Sequence, residues 1–356
     1  MFERILLPLD GSALAEQALP VAARLARASG GTIILLRVAV VSIVERPDLT
    51  PAQEYSQQAI NEGFLDATQY LERIAGRDEL AGIPIEMQVL FGNVAQTILS
   101  VAQSFDTDLV VMSSHGYTGF KRWSLGSVAQ KVARHSPVPV FVLREGGTLP
   151  TQVQGTASVL VPVDGSELAE AAIEPAAHLV AALAAPGQGK LHLLRVVAIP
   201  SSSGKFRSQA HIDFDAEVRT QAREEAEAYM QALLSRPPVS DLTNLNIAVT
   251  TEVVVNEDVA QAIIQAAERD GQIEGAAVTG EQGIIAMATH GRSGIGRWLL
   301  GSQTERVLDA CKVPLLIVRP HHEKSRHAIN GGEMAQGQAM EDEEIIVVEE
   351  TWIEES

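Results

Sequence analysis

"RILLPLDGSALAEQAL" (Arg4–Leu19) and "SVLVPVDGSELAEAAI" (Ser158–Ile173) are two copies of one pattern. Each opens on an apolar run with no polar alternation, the mark of a strand buried on both faces. Each then meets Asp-Gly-Ser, residues that turn the chain and start helices. An Ala/Leu/Glu stretch follows, which favours a helix. Strand, turn and helix in this order open a βαβ unit, and such units build parallel sheets.

The two copies keep the same order downstream. "TIILLRVA" (Thr32–Ala39) returns as "KLHLLRVV" (Lys190–Val197), and "VAQTI" (Val94–Ile98) as "VAQAI" (Val259–Ile263). "SPVPVFVLR" (Ser136–Arg144) returns as "CKVPLLIVR" (Cys311–Arg319). The chain is therefore a duplication. The offset between copies grows from 154 at Asp-Gly-Ser to 158, then 165, then 175. The last step places an insertion near Arg269–Gly283, whose Gly, Glu and Gln predict a surface loop.

In the first copy the pattern predicts strands near 4–9, 32–40, 84–91, 108–113 and 138–143. It predicts helices near 13–28, 53–75, 94–104 and 127–134. Pro139 and Pro314 predict that the last strand of each copy lies at a sheet edge. The expected fold is α/β, with two tandem Rossmann-like domains and helices on both faces of each sheet. The expected boundaries are 1–145 and 157–320 for the domains, 146–156 for a linker, and 321–356 for an acidic tail. From Glu333 onward the chain carries nine acidic residues and no basic one. That composition predicts disorder, either as a solubilising tail or as a short segment for a protein partner.

The bulk numbers agree with two domains: 356 residues, 46% hydrophobic and only 4% aromatic. A net charge of −18 argues against a nucleic-acid partner, because it repels phosphate backbones. One cysteine, Cys311, excludes an internal disulfide and a cysteine-based zinc cluster. "MFERILLPLDGS" does not read as a secretory signal, and no apolar run approaches the ~20 residues of a membrane helix. The expectation is a cytoplasmic protein with no membrane partner.

Chemistry concentrates in "SSHGYTGFKRWSLGS" (Ser113–Ser127) and its copy "ATHGRSGIGRWLLGS" (Ala288–Ser302). Each follows a buried strand and precedes a helix, at the sheet edge where open α/β folds bind ligands. Gly116 and Gly119, with Gly291 and Gly294, permit positive φ and close approach of a ligand to the backbone. Gly126-Ser127 and Gly301-Ser302 open helices whose free N–H groups and positive dipole end attract phosphate. Ser127 and Ser302 donate a hydroxyl or cap the helix. Lys121 and Arg122, and Arg292 and Arg297, add cations to the loops. The alternative is a plain glycine turn before a helix. Neither copy has the order of a P-loop.

Asp10 and Asp164 end the first strands on the same edge. A carboxylate there could meet a ribose, an adenine edge or a phosphate-bound Mg²⁺; alternatively Asp10 or Ser12 caps the next helix. Val38 and Val196 end the second strands, where they flank a base or simply fill the core. His115 and His290 have no ligand partners nearby in sequence, and "HHEKSRH" (His321–His327) reads as a solvated linker. No Ser/His/Asp set or carboxylate pair recurs with the repeat, so no catalytic residue is assigned.

Taken together, "LLPLDGS…AL", "LLRV", "SSHG…GS" and "SPVPVFVLR" resemble the universal stress protein family, twice and in order, over about 2–144 and 157–319. The resemblance implies five-stranded parallel domains of order 3-2-1-4-5 that pair through the last strand. Here they would pair as an intramolecular pseudo-dimer, with a homodimer also possible. One branch of the family binds ATP through G-x2-G-x9-G-[ST]. Gly116 and Gly291 match its second glycine, and Gly126-Ser127 and Gly301-Ser302 match its end. Ser113 and Ala288 replace its first glycine, a departure that costs about 1–2 kcal/mol if positive φ is needed there. The resemblance implies adenine near Asp10 and Val38, or Asp164 and Val196; Mg²⁺ at the aspartates is the reading of their carboxylates. Arg292 and Arg297, against Tyr117 and Phe120 in the first loop, predict tighter binding in the second copy. The expected function is ATP binding in a stress response; the alternatives are a nucleotide-free interaction scaffold and a slow ATP-hydrolysing enzyme.

Overall fold

A computed structural model describes residues 1–39, 57–115, 125–144, 157–199, 209–268, 272–273, 276–277, 283–289 and 301–320. The expected linker and acidic tail lie outside these. The first half runs β1 (Arg4–Pro8), α1 (Ala13–Glu16), α2 (Leu19–Ser29), β2 (Thr32–Ala39), α3 (Gln57–Ala75) and β3 (Ile85–Phe91). It continues α4 (Val94–Ser104), β4 (Leu109–Ser113), α5 (Ser127–His135) and β5 (Val140–Leu143). The second half repeats this as β6 (Ser158–Val163), α6 (Glu167–Glu170), α7 (Ile173–Ala184), β7 (Gly189–Val197), α8 (Gln209–Leu234) and β8 (Ile247–Val255). Then come α9 (Val259–Glu268), β9 (Gln272–Ile273), β10 (Ala276–Ala277), β11 (Ile284–Ala288), α10 (Ser302–Ala310) and β12 (Leu315–Val318).

Two expectations need correction at the level of elements. The helix expected over 13–28 is two helices. Pro20 sits in the first turn of α2, where a missing N–H costs nothing, so the proline starts a new helix. The expected surface loop near 269–283 contains the short antiparallel pair β9–β10.

The strands form one ten-stranded sheet in the order β3-β2-β1-β4-β5-β12-β11-β6-β7-β8. Each half has the order 3-2-1-4-5 and is parallel throughout. The halves meet antiparallel, with Val142 opposite Leu315 and Phe141 opposite Leu316. The prolines therefore do not mark edges: β5 and β12 are the two central strands. Pro139 and Pro314 each stand just before their strand and remove no ladder donor from it. Their carbonyls instead accept from Val110 and Ile285 N–H, both at 3.0 Å.

Apolar residues fill a layer on each side of the sheet. Ile5, Leu7, Ile33 and Leu35 face the layer of α2, α3 and α7. Leu6, Ile34, Leu36 and Val110 face that of α4, α5, α9 and α10. Both layers run across the seam between halves. Each fully buried Leu or Ile contributes about 1.5–3 kcal/mol.

Two arginines also cross the seam. Arg144, just past β5, donates to the Leu308 carbonyl near the C-terminal end of α10 and lies 3.7 Å from Cys311 Sγ. Arg319, just past β12, donates to the His135 carbonyl at the end of α5 at 3.4 Å. A cation at each helix C-terminus satisfies carbonyls that have no partner within the helix. Among the described residues, no helix is long and apolar enough to cross a membrane.

Candidate functional site: a cleft at the carboxyl edge of each half-sheet

From β1 the chain winds outward to β2 and β3, then returns past β1 to β4 and β5. The connections diverge where β1 and β4 end, and open α/β sheets bind ligands at such a switch point. In the first half this point is a cavity of about 510 Å³. Leu36, Val38, Ile98 and Met112 make its apolar floor; Asp10, Ser113, Gly126 and Ser127 stand at its polar mouth. In the second half the matching cavity is about 110 Å³ and includes Asp164, Val196, Gly301 and Ser302.

The fold thus gathers Asp10, Val38, Gly126 and Ser127 at one site, and their four counterparts at the other. Gly116, Gly119, Gly291 and Gly294 lie outside the described residues, as do Lys121, Arg122, Arg292, Arg297, Tyr117, Phe120 and His290.

The Asp-Gly-Ser turn is built the same way twice. Asp10 Oδ1 accepts from Ser12 N–H at 2.9 Å and from its hydroxyl at 2.6 Å. Ser12 Oγ in turn accepts from Ala15 N–H and caps α1. Asp164, Ser166 and Ala169 repeat this at 3.0, 2.5 and 3.2 Å. Of the two capping candidates, the serine is the cap, and the aspartate fixes the serine. Gly11 and Gly165 make the turn with φ of +83°, which only glycine adopts freely.

At the other side of the cleft the serines do not cap. The N-cap of α5 is Gly126 and that of α10 is Gly301, neither with a side-chain cap; Ser127 and Ser302 are the first helical residues. The helix starts are tied to the strand ends through the backbone. Gly126 N–H donates to the Ser114 carbonyl and Gly301 N–H to the Thr289 carbonyl, both at 2.8 Å. A Cβ on Gly126 would stand 3.1 Å from that carbonyl oxygen. Glycine is needed here for close approach, since φ is an ordinary −61°.

Ser113 and Ala288 are the last residues of β4 and β11, and neither has positive φ. The cost expected from replacing a glycine at these positions is therefore not incurred. Ser113 Oγ donates to the His115 carbonyl at 2.7 Å. His115 is buried, with Nδ1 3.1 Å from Ser114 Oγ. Among the described residues no three His, Cys, Asp or Glu side chains gather as a metal site.

One side-chain cluster beside the cleft was not read from the sequence, although "LLRV" recurs with its arginine inside a buried strand. Arg37 Nη1 donates to the Leu9 carbonyl at 3.2 Å, and its guanidinium lies 5.4 Å from the Tyr70 ring centre. Tyr70 donates to Glu16 at 3.2 Å, and Arg77 pairs with Glu16. Arg195, Tyr229, Glu170 and Arg236 repeat the set: 3.2 Å to the Val163 carbonyl, 5.9 Å to the ring, and 2.7 Å for both contacts to Glu170. The cluster braces the strand end that carries Asp10 or Asp164.

Burial, then the Glu16 carboxylate, pushes the Tyr70 phenol up to about 12; burial and Glu170 push Tyr229 up as well. A folded phenol that keeps its proton above the unfolded value of ~10 stabilises the fold below that pH. The contribution is lost as pH rises from about 10 to 12. A phenolate absorbance titration is expected to show two late tyrosines, and Tyr70→Phe to remove one of them. Unchanged late absorbance in Tyr70→Phe would contradict the assignment.

Comparison with known proteins places this architecture. The model of the universal stress protein family matches residues 1–144, 156–272 and 277–319. The gap between the last two segments, residues 273–276, takes in the facing ends of β9 and β10. A universal stress protein of Bacillus subtilis is 29% identical over 148 residues, 40% of this chain and all of that relative. One of Mycobacterium tuberculosis is 23% identical over 241 residues, 67% of this chain and 70% of the relative. The crystal structure of a universal stress protein from Archaeoglobus fulgidus shares the fold at a TM-score of 0.55 and 22% identity, covering 89% of this chain and 96% of that one.

Proposed function

Because this chain belongs to the universal stress protein family, we propose that it is a cytoplasmic stress-response protein that binds adenine nucleotide, ATP first, at the carboxyl edge of its sheet. The observation that carries this reading is the first-half cavity. Its 510 Å³ lies in the range of about 300–1,000 Å³ that small-molecule sites occupy. An apolar floor with a polar mouth suits a flat base joined to a charged tail.

In this reading the adenine lies on Leu36, Val38, Ile98 and Met112. The ribose faces Asp10, and the phosphates take the uncapped N–H groups and the hydroxyl at the start of α5. By their place in the sequence, Gly116 and Gly119, with their counterparts Gly291 and Gly294, are the glycines this reading assigns to the phosphate-binding loops. Mg²⁺ binds through one or two carboxylates together with phosphate oxygens. Asp10 and Asp164 fit that role as single carboxylates, so the nucleotide would bring the ion. The stretches 1–145 and 157–320 are then the two domains of the family, joined by 146–156, each with a cleft at its own sheet edge.

The test is mass spectrometry of protein purified without added nucleotide, followed by calorimetry with MgATP. The expected result is a released adenine nucleotide, or micromolar binding of MgATP. Neither a retained nucleotide nor measurable binding would refute the reading.

A further inference from the structure

We propose that the two sites are unequal: the first half seats the purine nucleotide, and Gln303 and Thr304 close the second half to it. This rests on the nucleotide reading above and refines it.

The floors of the two cavities are matched nearly residue for residue. Val38 corresponds to Val196, Ile98 to Ile263, and Met112 to Met287. The difference in volume, 510 against 110 Å³, therefore has another source. Among the described residues, the two linings differ at the first turn of the helix that faces the cleft. Val128 and Ala129 stand there in α5, and Gln303 and Thr304 in α10.

Thr304 is 5% exposed, and its hydroxyl donates to the Ala288 carbonyl at 3.1 Å. That bond holds the β-branched side chain in place at the strand end, where Ala129 presents only a methyl group. Gln303 Oε1 is buried without a hydrogen-bond partner. Gln303 is longer and more polar than Val128, and its unmet oxygen would face a phosphate oxygen acceptor against acceptor. Both replacements work against a ligand where the first half accommodates one.

The loop arginines point the other way, since Arg292 and Arg297 favour an anion in the second half. Loop cations act mainly by drawing an anion toward the site at long range. A base that cannot reach its apolar floor loses its burial altogether. Volume outweighs charge in this contest.

Calorimetry with MgATP on the full chain is expected to give close to one nucleotide per chain. The double variant Gln303→Val/Thr304→Ala is expected to raise this to two. The reverse swap, Val128→Gln/Ala129→Thr, is expected to abolish binding. Thermal unfolding checks that each variant is folded. Independently of any variant, crosslinking of wild-type protein with 8-azido-ATP is expected to label first-half peptides alone. Two equivalent sites in the wild type, equal labelling of both halves, or swaps that leave the stoichiometry unchanged would overturn the inference. Absence of all binding is a different result, and it refutes the nucleotide reading itself.

Discussion

Arg144→Ala is expected to lower the stability of the chain by about 3 kcal/mol in denaturant unfolding, and Arg319→Ala by less than half of that. Arg144 is 6% exposed and serves the Leu308 carbonyl at the end of α10. Truncation leaves a buried acceptor unmet, at about 1–3 kcal/mol, and opens a cavity along the lost stem. Arg319 is partly exposed and holds the His135 carbonyl at a longer 3.4 Å, so water can replace it. Arg144→Met separates the two parts of the cost. Arg144 Nε has no hydrogen-bond partner among the described residues, so the buried charge is itself imperfectly met. Methionine keeps the packing, drops that charge, and recovers a good part of the loss. The neighbouring thiol gives a second readout. Burial raises the Cys311 pKa and makes the native thiol slow to react. Arg144→Ala is expected to speed its labelling. Equal losses in the two alanine variants would defeat the argument.

Gly31→Ala is expected to cost about 3 kcal/mol, and Gly30→Ala about 1 kcal/mol, although the glycines are adjacent. A Cβ on Gly31 would stand 2.7 Å from the Glu3 carbonyl oxygen and 2.8 Å from that of Phe2. Both are backbone atoms at the start of β1, and the Glu3 carbonyl also accepts from Thr32 at 2.7 Å. The methyl group can enter only by prying β2 from β1 where their pairing begins. Gly30, by contrast, closes α2 with φ of +70° and has open space where a Cβ would go. Its substitution costs only the left-handed backbone. In the second half Gly189 corresponds to Gly31, and a Cβ there would meet the Val180 carbonyl at 2.9 Å. Gly189→Ala is expected to match Gly31→Ala. The midpoint of thermal unfolding orders the three, and a cost at Gly30 equal to that at Gly31 would sink the distinction.

Most of the fold could be read from the sequence because its strands are buried on both faces. Runs such as Ile5–Leu7 and Ile33–Leu36 carry no polar alternation to blur their ends. The duplication then supplied a second reading of every element. Pro139 and Pro314 misled because the edge rule sees one half at a time. The strand that covers β5 arrives from a segment far along the chain, and no local pattern announces it. Ser127 misled for a smaller reason. A cap and a first helical residue differ by one position, and the backbone of Gly126 decides between them. Asp10, Val38 and Gly126 could be placed at the carboxyl edge of the sheet because they stand at strand ends or helix starts, which composition marks well. The Arg37 cluster was not legible, because Tyr70, which Arg37 meets, and Glu16, which holds Tyr70, sit on separate helices brought together only by folding.

The antiparallel seam between β5 and β12 has an evolutionary consequence. In an assembly of two identical chains, every substitution appears in both subunits, and the sites cannot diverge. Joining the two halves in one polypeptide removes that constraint and keeps the geometry of the pair. The partner strand is always present, at an effective concentration that dilution cannot lower. Each cleft then becomes free to drift alone, and a change such as Ala129 against Thr304 is open to such a chain and closed to an assembly of identical ones.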